Sequence, residues 1–237
     1  FTDAHIELES AYAQIEGNGQ ENMALCCDFL AWRLSLYTEY TDAALPLAFE
    51  ERRVELLRHH NVSWINLLNA ALAYYYALLG EAEKTPAVFS KHRLSEVNIL
   101  APGRPMIEMI ENQVYLAQGA YVKVIGRAEG MLAVCGGMHY ALVALHVRIQ
   151  MAAAYERLGK REEARAFLSQ ALSDALPDGL VMPFVENYGY LKPLLEEKLK
   201  SDEGAARIIA LGEEAARRKG KKARPEAFSS LTEREYE

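Results

Sequence analysis

The stretch Ala152–Leu172, AAAYERLGKREEARAFLSQAL, predicts two helices joined by a tight turn. Gly159 stands at the join, and glycine is favoured just past a helix end because it takes the left-handed conformation without steric cost. Beyond the turn, Ala164, Leu168 and Ala171 recur at the spacing of one helix face. The small alanine side chains let a second helix pack closely. The stretch therefore predicts an antiparallel helix pair.

The same pattern recurs along the chain about every forty residues. One tyrosine marks each of four successive units: Tyr37, Tyr76, Tyr115 and Tyr155. The steps between these tyrosines are 39, 39 and 40 residues. Four residues after each tyrosine comes a turn position: Thr41, Gly80, Gly119 and Gly159. Nine residues after each comes a position predicted to lie in a second helix: Pro46, Thr85, Val124 and Ala164. We expect the tyrosines near the C-terminal ends of the first helices.

A helix pair of this kind cannot bury its apolar face alone, so the pairs are expected to stack on one another. The unit at residues 152–172 resembles a tetratricopeptide-type repeat. The predicted fold is therefore all-α, a tetratricopeptide-like right-handed superhelix of stacked antiparallel helix pairs over residues 1–216. Ser201–Arg218 has the pattern of an amphipathic helix that caps the stack. A non-repetitive helical domain with coincidental tyrosines is the alternative.

Composition excludes several classes of protein. Of the 237 residues, 51% are hydrophobic, which supports a large buried core, and the formal net charge of −7 argues against nucleic-acid binding by the chain as a whole. Cys26, Cys27 and Cys135 form neither a zinc motif nor a disulfide framework, which fits reduced thiols in the cytoplasm. No run of eighteen apolar residues occurs, so no membrane span is expected.

The chain carries no recognisable catalytic, metal or cofactor motif. None of the six histidines has a second histidine four residues away, the spacing that places two imidazoles on one helix face. Adjacent pairs such as Glu162 and Glu163 point about 100° apart on a helix, so they do not face each other as an acid and a base. No phosphate-binding loop of the G-x-x-x-x-G-K-[ST] type is present. We expect no enzymatic activity, no metal and no cofactor in this chain.

The last residues read differently from the repeats. Arg217–Arg224 has six basic residues in eight positions and precedes Pro225, so residues 217–230 are predicted to form a basic linker. Leu231–Glu237 follows, and Thr232 with Glu235 forms a capping box that opens a helix. We expect residues 231–237 to be the first residues of a truncated helix-turn-helix DNA-binding domain.

The chain resembles the C-terminal half of the large, ATP-dependent LuxR-type transcription regulators, often called MalT-like. Three segments carry the resemblance: Tyr155–Leu172, Met182-Pro183-Phe184 and Leu231–Glu235. Thr41 departs from the pattern, because it stands where a turn glycine is expected. The resemblance implies that the superhelix receives a small-molecule inducer or a regulatory protein on its concave face. It also implies ATP in an upstream module, and DNA binding only through the missing C-terminal domain.

Alignment on the four tyrosines predicts four residues on the concave wall: Tyr74, Met109, Gln113 and His146. An aromatic ring, a thioether, an amide and an imidazole would suit a small polar ligand or a peptide. Packing of these side chains between helices is the alternative. The predicted function is the non-catalytic, effector- or partner-sensing domain of a LuxR-family regulator. A free-standing tetratricopeptide-type scaffold that binds a peptide or protein is the alternative, and oligomerisation is left open.

Overall fold

Helices form the regular structure of the protein. The computed structural model describes residues 1–15, 21–38, 45–59, 62–96, 99, 101–198 and 203–222, and no strand occurs within these ranges. They hold twelve α-helices: α1 Thr2–Ile15, α2 Glu21–Ser35, α3 Leu45–Arg58, α4 Val62–Leu79, α5 Ala87–Ser90, α6 Arg104–Ala117, α7 Tyr121–Met138, α8 Ala141–Arg157, α9 Arg161–Ala175, α10 Met182–Glu186, α11 Tyr188–Lys198 and α12 Glu203–Lys222. The predicted all-α class is confirmed.

Five helices of the chain form one row, here called the central row. It consists of α2, α4, α6, α8 and α11, each of which contacts the next. The intervening helices pack beside this row: α3 on α4, α7 on α6 and α8, α9 on α8, and α12 on α11. The central row is deeply buried at α8, where ten of the seventeen residues are buried. Burial of this kind is the main favourable term in folding.

Glycine turns end three helices of the central row. A glycine follows each of α4, α6 and α8, namely Gly80, Gly119 and Gly159, with φ of +78°, +74° and +72°. Residues that carry a Cβ atom rarely adopt this backbone conformation. Each glycine N–H donates to a carbonyl in the last turn of its helix, as in Gly159 N to Glu156 O at 3.1 Å. The predicted glycine turns are therefore confirmed. Thr41 lies outside the described residues.

The repeat tyrosines lie where the spacing predicts. Tyr76, Tyr115 and Tyr155 are in the last turns of their helices, and Tyr37 comes two residues after the end of α2. Three of the four second-helix positions also agree with the prediction, namely Pro46 in α3, Val124 in α7 and Ala164 in α9.

The prediction for Thr85 was wrong, because no long second helix forms in that unit. Thr85 ends a 3-10 turn over Ala82–Lys84, and only the four-residue helix α5 follows. The cause is Pro86, whose ring disfavours the helical conformation of the residue before it. Thr85 accordingly has an extended backbone, with ψ of 146°.

The final helix extends beyond the boundary placed at residue 216. Its start at Glu203 agrees with the predicted amphipathic helix, but α12 continues to Lys222 and takes in the first part of the predicted linker. Basic residues are favourable near a helix C-terminus, and no proline occurs between Glu203 and Pro225. The rest of the predicted linker and Leu231–Glu237 lie outside the described residues.

Candidate functional site

A short segment of the chain covers the middle of the central row. This segment, Val181–Asn187, contains α10 and follows the turn at Gly179, where φ is +67°. Pro183 fits in the first turn of α10 because the missing N–H would have no helical partner there. Phe184 and Asn187 are fully buried. The Met-Pro-Phe motif therefore lies in a buried segment rather than in a surface loop. Val181–Asn187 is here called the α10 segment.

Glu186 is the charged centre of the α10 segment. Its Oε1 accepts hydrogen bonds from Nε and Nη2 of Arg33 in α2, at 2.8 and 2.6 Å. Its Oε2 accepts a hydrogen bond from the hydroxyl of Tyr74 in α4, at 2.7 Å. The guanidinium of Arg33 also lies over the rings of Phe29 and Tyr74, at 5.5 and 5.4 Å from their centroids. Three distant parts of the chain thus share one buried carboxylate.

The charges of this pair shift the neighbouring groups. Burial lowers the pKa of Arg33, but the Glu186 carboxylate more than offsets this, so the pKa of Arg33 lies above its ordinary value. Burial and then the charge of Glu186 raise the pKa of Tyr74 well above its usual value, and the same causes raise that of Tyr37. Arg33 therefore remains a cation and both tyrosines remain neutral at any physiological pH.

A second set of hydrogen bonds joins α6, α8 and the α10 segment. Nε2 of Gln113 donates to Oδ1 of Asn187 at 3.0 Å, and Nε2 of Gln150 donates to Oε1 of Gln113 at 3.0 Å. Gln150 also donates to the backbone carbonyl of Met109 at 3.0 Å. Asn187 in turn donates from Nδ2 to the carbonyl of Pro183 at 3.1 Å. Because a buried amide without partners is costly, this chain of bonds fixes the register of the α10 segment.

His146 of α8 lies beside the ionic centre. Its ring meets the ring of Tyr74 edge to face, with centroids 6.4 Å apart. Burial lowers the pKa of His146 to about 4, an effect opposed by the charge of Glu186 and assisted by that of Arg33. The imidazole is therefore neutral near pH 7. Its Nδ1 has no hydrogen-bond partner among the described residues.

The structure brings the four predicted site residues into one region, but not onto an open wall. Tyr74, Met109, Gln113 and His146 are all buried, with 5% exposure or less. The prediction missed the reason, which is that the α10 segment covers two of them: Glu186 bonds to Tyr74, and Asn187 bonds to Gln113. A role of these four residues in ligand binding stays a prediction.

Sequence reasoning missed Arg33, Glu186, Gln150 and Asn187, which carry most of the polar contacts. A weak signal did exist, because Glu186 and Asn187 directly follow the Met182-Pro183-Phe184 motif. Nothing in the periodicity connects that motif to Arg33, which lies 153 residues earlier.

An apolar cleft of about 430 Å³ lies between α1, α2 and the α10 segment. The apolar residues that line it include Phe1, Leu8, Leu30, Leu34 and Met182. Its charged lining residues are Glu7, Arg33 and Glu186. The ionic pair at the centre of the buried network is therefore also part of the cleft wall.

No protein-family model, curated protein or solved structure matches this chain. The described residues contain no group of three or more His, Cys, Asp or Glu that could hold a metal ion. In that same part of the chain, no helix is both long and apolar enough to cross a membrane.

The α10 segment also touches the last helix. It packs against α12, which packs on α11 as well. Nη1 of Arg218 in α12 donates to the backbone carbonyl of Tyr37 at 2.8 Å, just past the end of α2. A helix end leaves such carbonyls without helical partners, so Arg218 satisfies one of them. Helix α12 thus contacts both the α10 segment and the residue Tyr37 just past the end of α2, which are two parts of the cleft wall.

Proposed function

We propose that this chain is the effector-sensing, non-catalytic helical domain of a transcription regulator of the LuxR type. The observation that carries the proposal is the position of Glu186. This one carboxylate borders the apolar cleft, binds Arg33 and Tyr74, and lies in the segment that packs against the last helix. A ligand in the cleft therefore has a direct physical route to α12.

The proposed mechanism is a shift between two arrangements of the α10 segment. A ligand can change an equilibrium only by binding one arrangement more tightly than the other. Contacts with Met182 and Arg33 in the cleft would favour one position of the α10 segment, and α12 would follow because it packs on that segment. In the proposed regulator, α12 leads through residues 223–230 to the DNA-binding domain.

The tetratricopeptide-like right-handed superhelix is part of the same proposal. Support comes from the central row with helices packed beside it, and from three glycine turns at corresponding positions. Stacked units of this kind share a continuous core. The proposed regulator acts in the cytoplasm.

The scaffold alternative predicts a peptide on the face that carries Tyr74, Gln113 and His146. The chain's own α10 segment already occupies that face through Glu186 and Asn187. A peptide would have to displace a segment whose polar groups are hydrogen-bonded. The contacts therefore favour a small effector in the adjoining cleft over a peptide on the central row.

An enzymatic role has little support in the cleft. Cys27 is the one thiol among its lining residues, and burial raises the pKa of that thiol. A nucleophilic cysteine needs the opposite shift, because the thiolate is the reactive form. The ionic pair in the cleft is engaged in internal hydrogen bonds rather than poised as an acid and a base.

The regulator proposal is tested with two proteins, this chain and a version extended past Glu237 into the rest of its gene. Mobility shifts on the gene's own upstream DNA would be run at about 150 mM salt, where non-specific phosphate contacts are weak. We expect sequence-specific binding by the extended protein only. Specific binding by residues 1–237 alone, or an extension without a helix-turn-helix pattern, would contradict the proposal.

A further inference from the structure

The cleft beside α1 has the properties of a small-molecule site. Its volume of about 430 Å³ falls within the range of ligand pockets, and its lining is mainly apolar. Leu30 is 51% exposed and Phe1 is 41% exposed, although both line the cleft. Covering apolar groups of this size in one concave surface with a ligand lowers the free energy, because it removes apolar area from water.

At the ion pair in the cleft wall, the remaining hydrogen-bonding capacity belongs to Arg33. Both hydrogen bonds from Arg33 to Glu186 use Nε and Nη2. No described residue accepts a hydrogen bond from Nη1, and the side chain of Arg33 keeps 24% of its exposure. Glu186, in contrast, already accepts three hydrogen bonds through its two oxygens. The cleft therefore offers a donor to a ligand, and the ligand has to bring an acceptor.

The charges around the cleft select a neutral acceptor. Glu186 already compensates the charge of Arg33, and Glu7 adds a further negative charge at the exposed side. At the ion pair, a ligand carboxylate would place an additional anion beside Glu186, and a ligand ammonium would face Arg33. Either ion would also lose hydration on entering an apolar cleft. A carbonyl oxygen of an amide or ester avoids both costs.

We infer that the cleft binds a small neutral amphiphile, with an apolar tail along α1 and α2 and a carbonyl oxygen that accepts a hydrogen bond from Nη1 of Arg33. This ligand class rests on the proposed sensing function for its biological meaning, but its binding can be measured without DNA. It names the chemistry of the effector.

The test compares three probes that share one tail: octanamide, octanoate and octylammonium. Calorimetric titration of this chain should show that octanamide binds about tenfold more tightly than either ion, because octylammonium has no acceptor for Nη1 and octanoate adds an anion beside Glu186. Tighter binding of octanoate or octylammonium, or no binding of any probe, would overturn the inference.

Two matched leucine variants locate the binding site. Leu30→Gln changes a residue in the cleft wall, whereas Leu57→Gln changes a residue of α3 that is 47% exposed and outside the cleft lining. We expect Leu30→Gln to weaken octanamide binding about tenfold, because it replaces apolar contact with a polar group. Leu57→Gln should leave binding unchanged. Equal affinity of both variants for octanamide would place the ligand elsewhere.

A change at Arg33 tests the donor itself. Arg33→Lys keeps a positive charge for Glu186 but has no second terminal nitrogen, so octanamide should lose its advantage over octylammonium. If this variant does not fold, the leucine pair still decides the site. If this chain binds octanamide but its extended form does not bind DNA, the ligand class stands and the regulator proposal is refuted. If the extended form binds DNA but no octanamide binding occurs, the regulator proposal stands and the ligand class is refuted.

Discussion

Arg33 and Glu186 are 153 residues apart in the chain and form an ion pair with an N–O distance of 2.6 Å. The carboxylate keeps 1% of its side-chain exposure and the guanidinium 24%. Tyr74 completes the environment of the carboxylate from α4. The pair therefore fixes the α10 segment to the first half of the central row. Its removal should lower the free energy of unfolding of the chain.

Glu186→Gln should destabilise the protein by about 2–3 kcal/mol, because it leaves the largely buried cation of Arg33 without its counter-charge. The control is Glu108→Gln, which breaks an i,i+4 ion pair with Arg104 on the exposed side of α6 and should cost about 0.5 kcal/mol. Urea unfolding of both variants measures the difference. The double variant Arg33→Met with Glu186→Leu should regain stability, since it removes both charges. Similar costs for Glu186→Gln and Glu108→Gln would contradict a structural role of the pair.

His146 should make stability depend on pH. Its folded-state pKa of about 4 lies below its ordinary value, so the unfolded chain takes up a proton first as the pH falls. The stabilising contribution is complete above about pH 6.5 and declines towards pH 4, with a total of roughly 3 kcal/mol. Glu186 and Arg33 are the charged groups that act on the pKa of His146, and His146→Gln leaves both in place.

Unfolding free energies of the parent and His146→Gln, measured between about pH 5 and 7, check this prediction. The difference between the two proteins should shrink as the pH falls, because only the parent carries the buried imidazole. His139→Asn is the control: His139 is exposed after α7 with φ of +57°, a conformation that asparagine tolerates. A parent and a His146→Gln variant with parallel pH profiles would rule out a buried, neutral His146.

Two glycine substitutions should have opposite signs. Gly159→Ala should destabilise the protein by about 1 kcal/mol, because φ is +72° although the space around the position is open. Gly130→Ala in α7 should stabilise it by up to about 1 kcal/mol, since alanine is the better helix former and no neighbour lies within reach of the new methyl group. Thermal unfolding of the two variants decides. Shifts of the same sign would mean that Gly159 does not hold a left-handed turn.

Much of the fold follows from local rules that the sequence displays. A glycine four residues after a tyrosine predicted the ends of α4, α6 and α8, because the left-handed turn depends on one residue type. The failure at Thr85 has an equally local cause, the following Pro86, because a proline disfavours the helical conformation of the residue before it.

The candidate site depends on contacts that no local rule contains. Alignment on the tyrosines placed Tyr74 and His146 on a common face, and the structure has their rings in contact. The hydrogen-bond partner of Tyr74, Glu186, comes from a part of the chain where the repeat has faded. Its pairing with Arg33 follows from the path of the chain across the central row, which the local pattern of a single sequence does not reveal.

The last helix is held by a contact in which glycine is required for space rather than for its backbone. Gly212 of α12 packs directly against the ring of Tyr188 at the start of α11, and a methyl group there would overlap ring atoms. Gly212→Ala should therefore destabilise the protein by about 1–3 kcal/mol, the usual cost of overpacking, although alanine favours helix formation. In the Gly212→Ala variant, amide hydrogen exchange should increase mainly in α12, because the added methyl group separates α12 from α11. In a Tyr188→Leu background, the smaller side chain leaves room, and Gly212→Ala should cost much less. An equal cost in both backgrounds would show that Tyr188 is not what Gly212 accommodates.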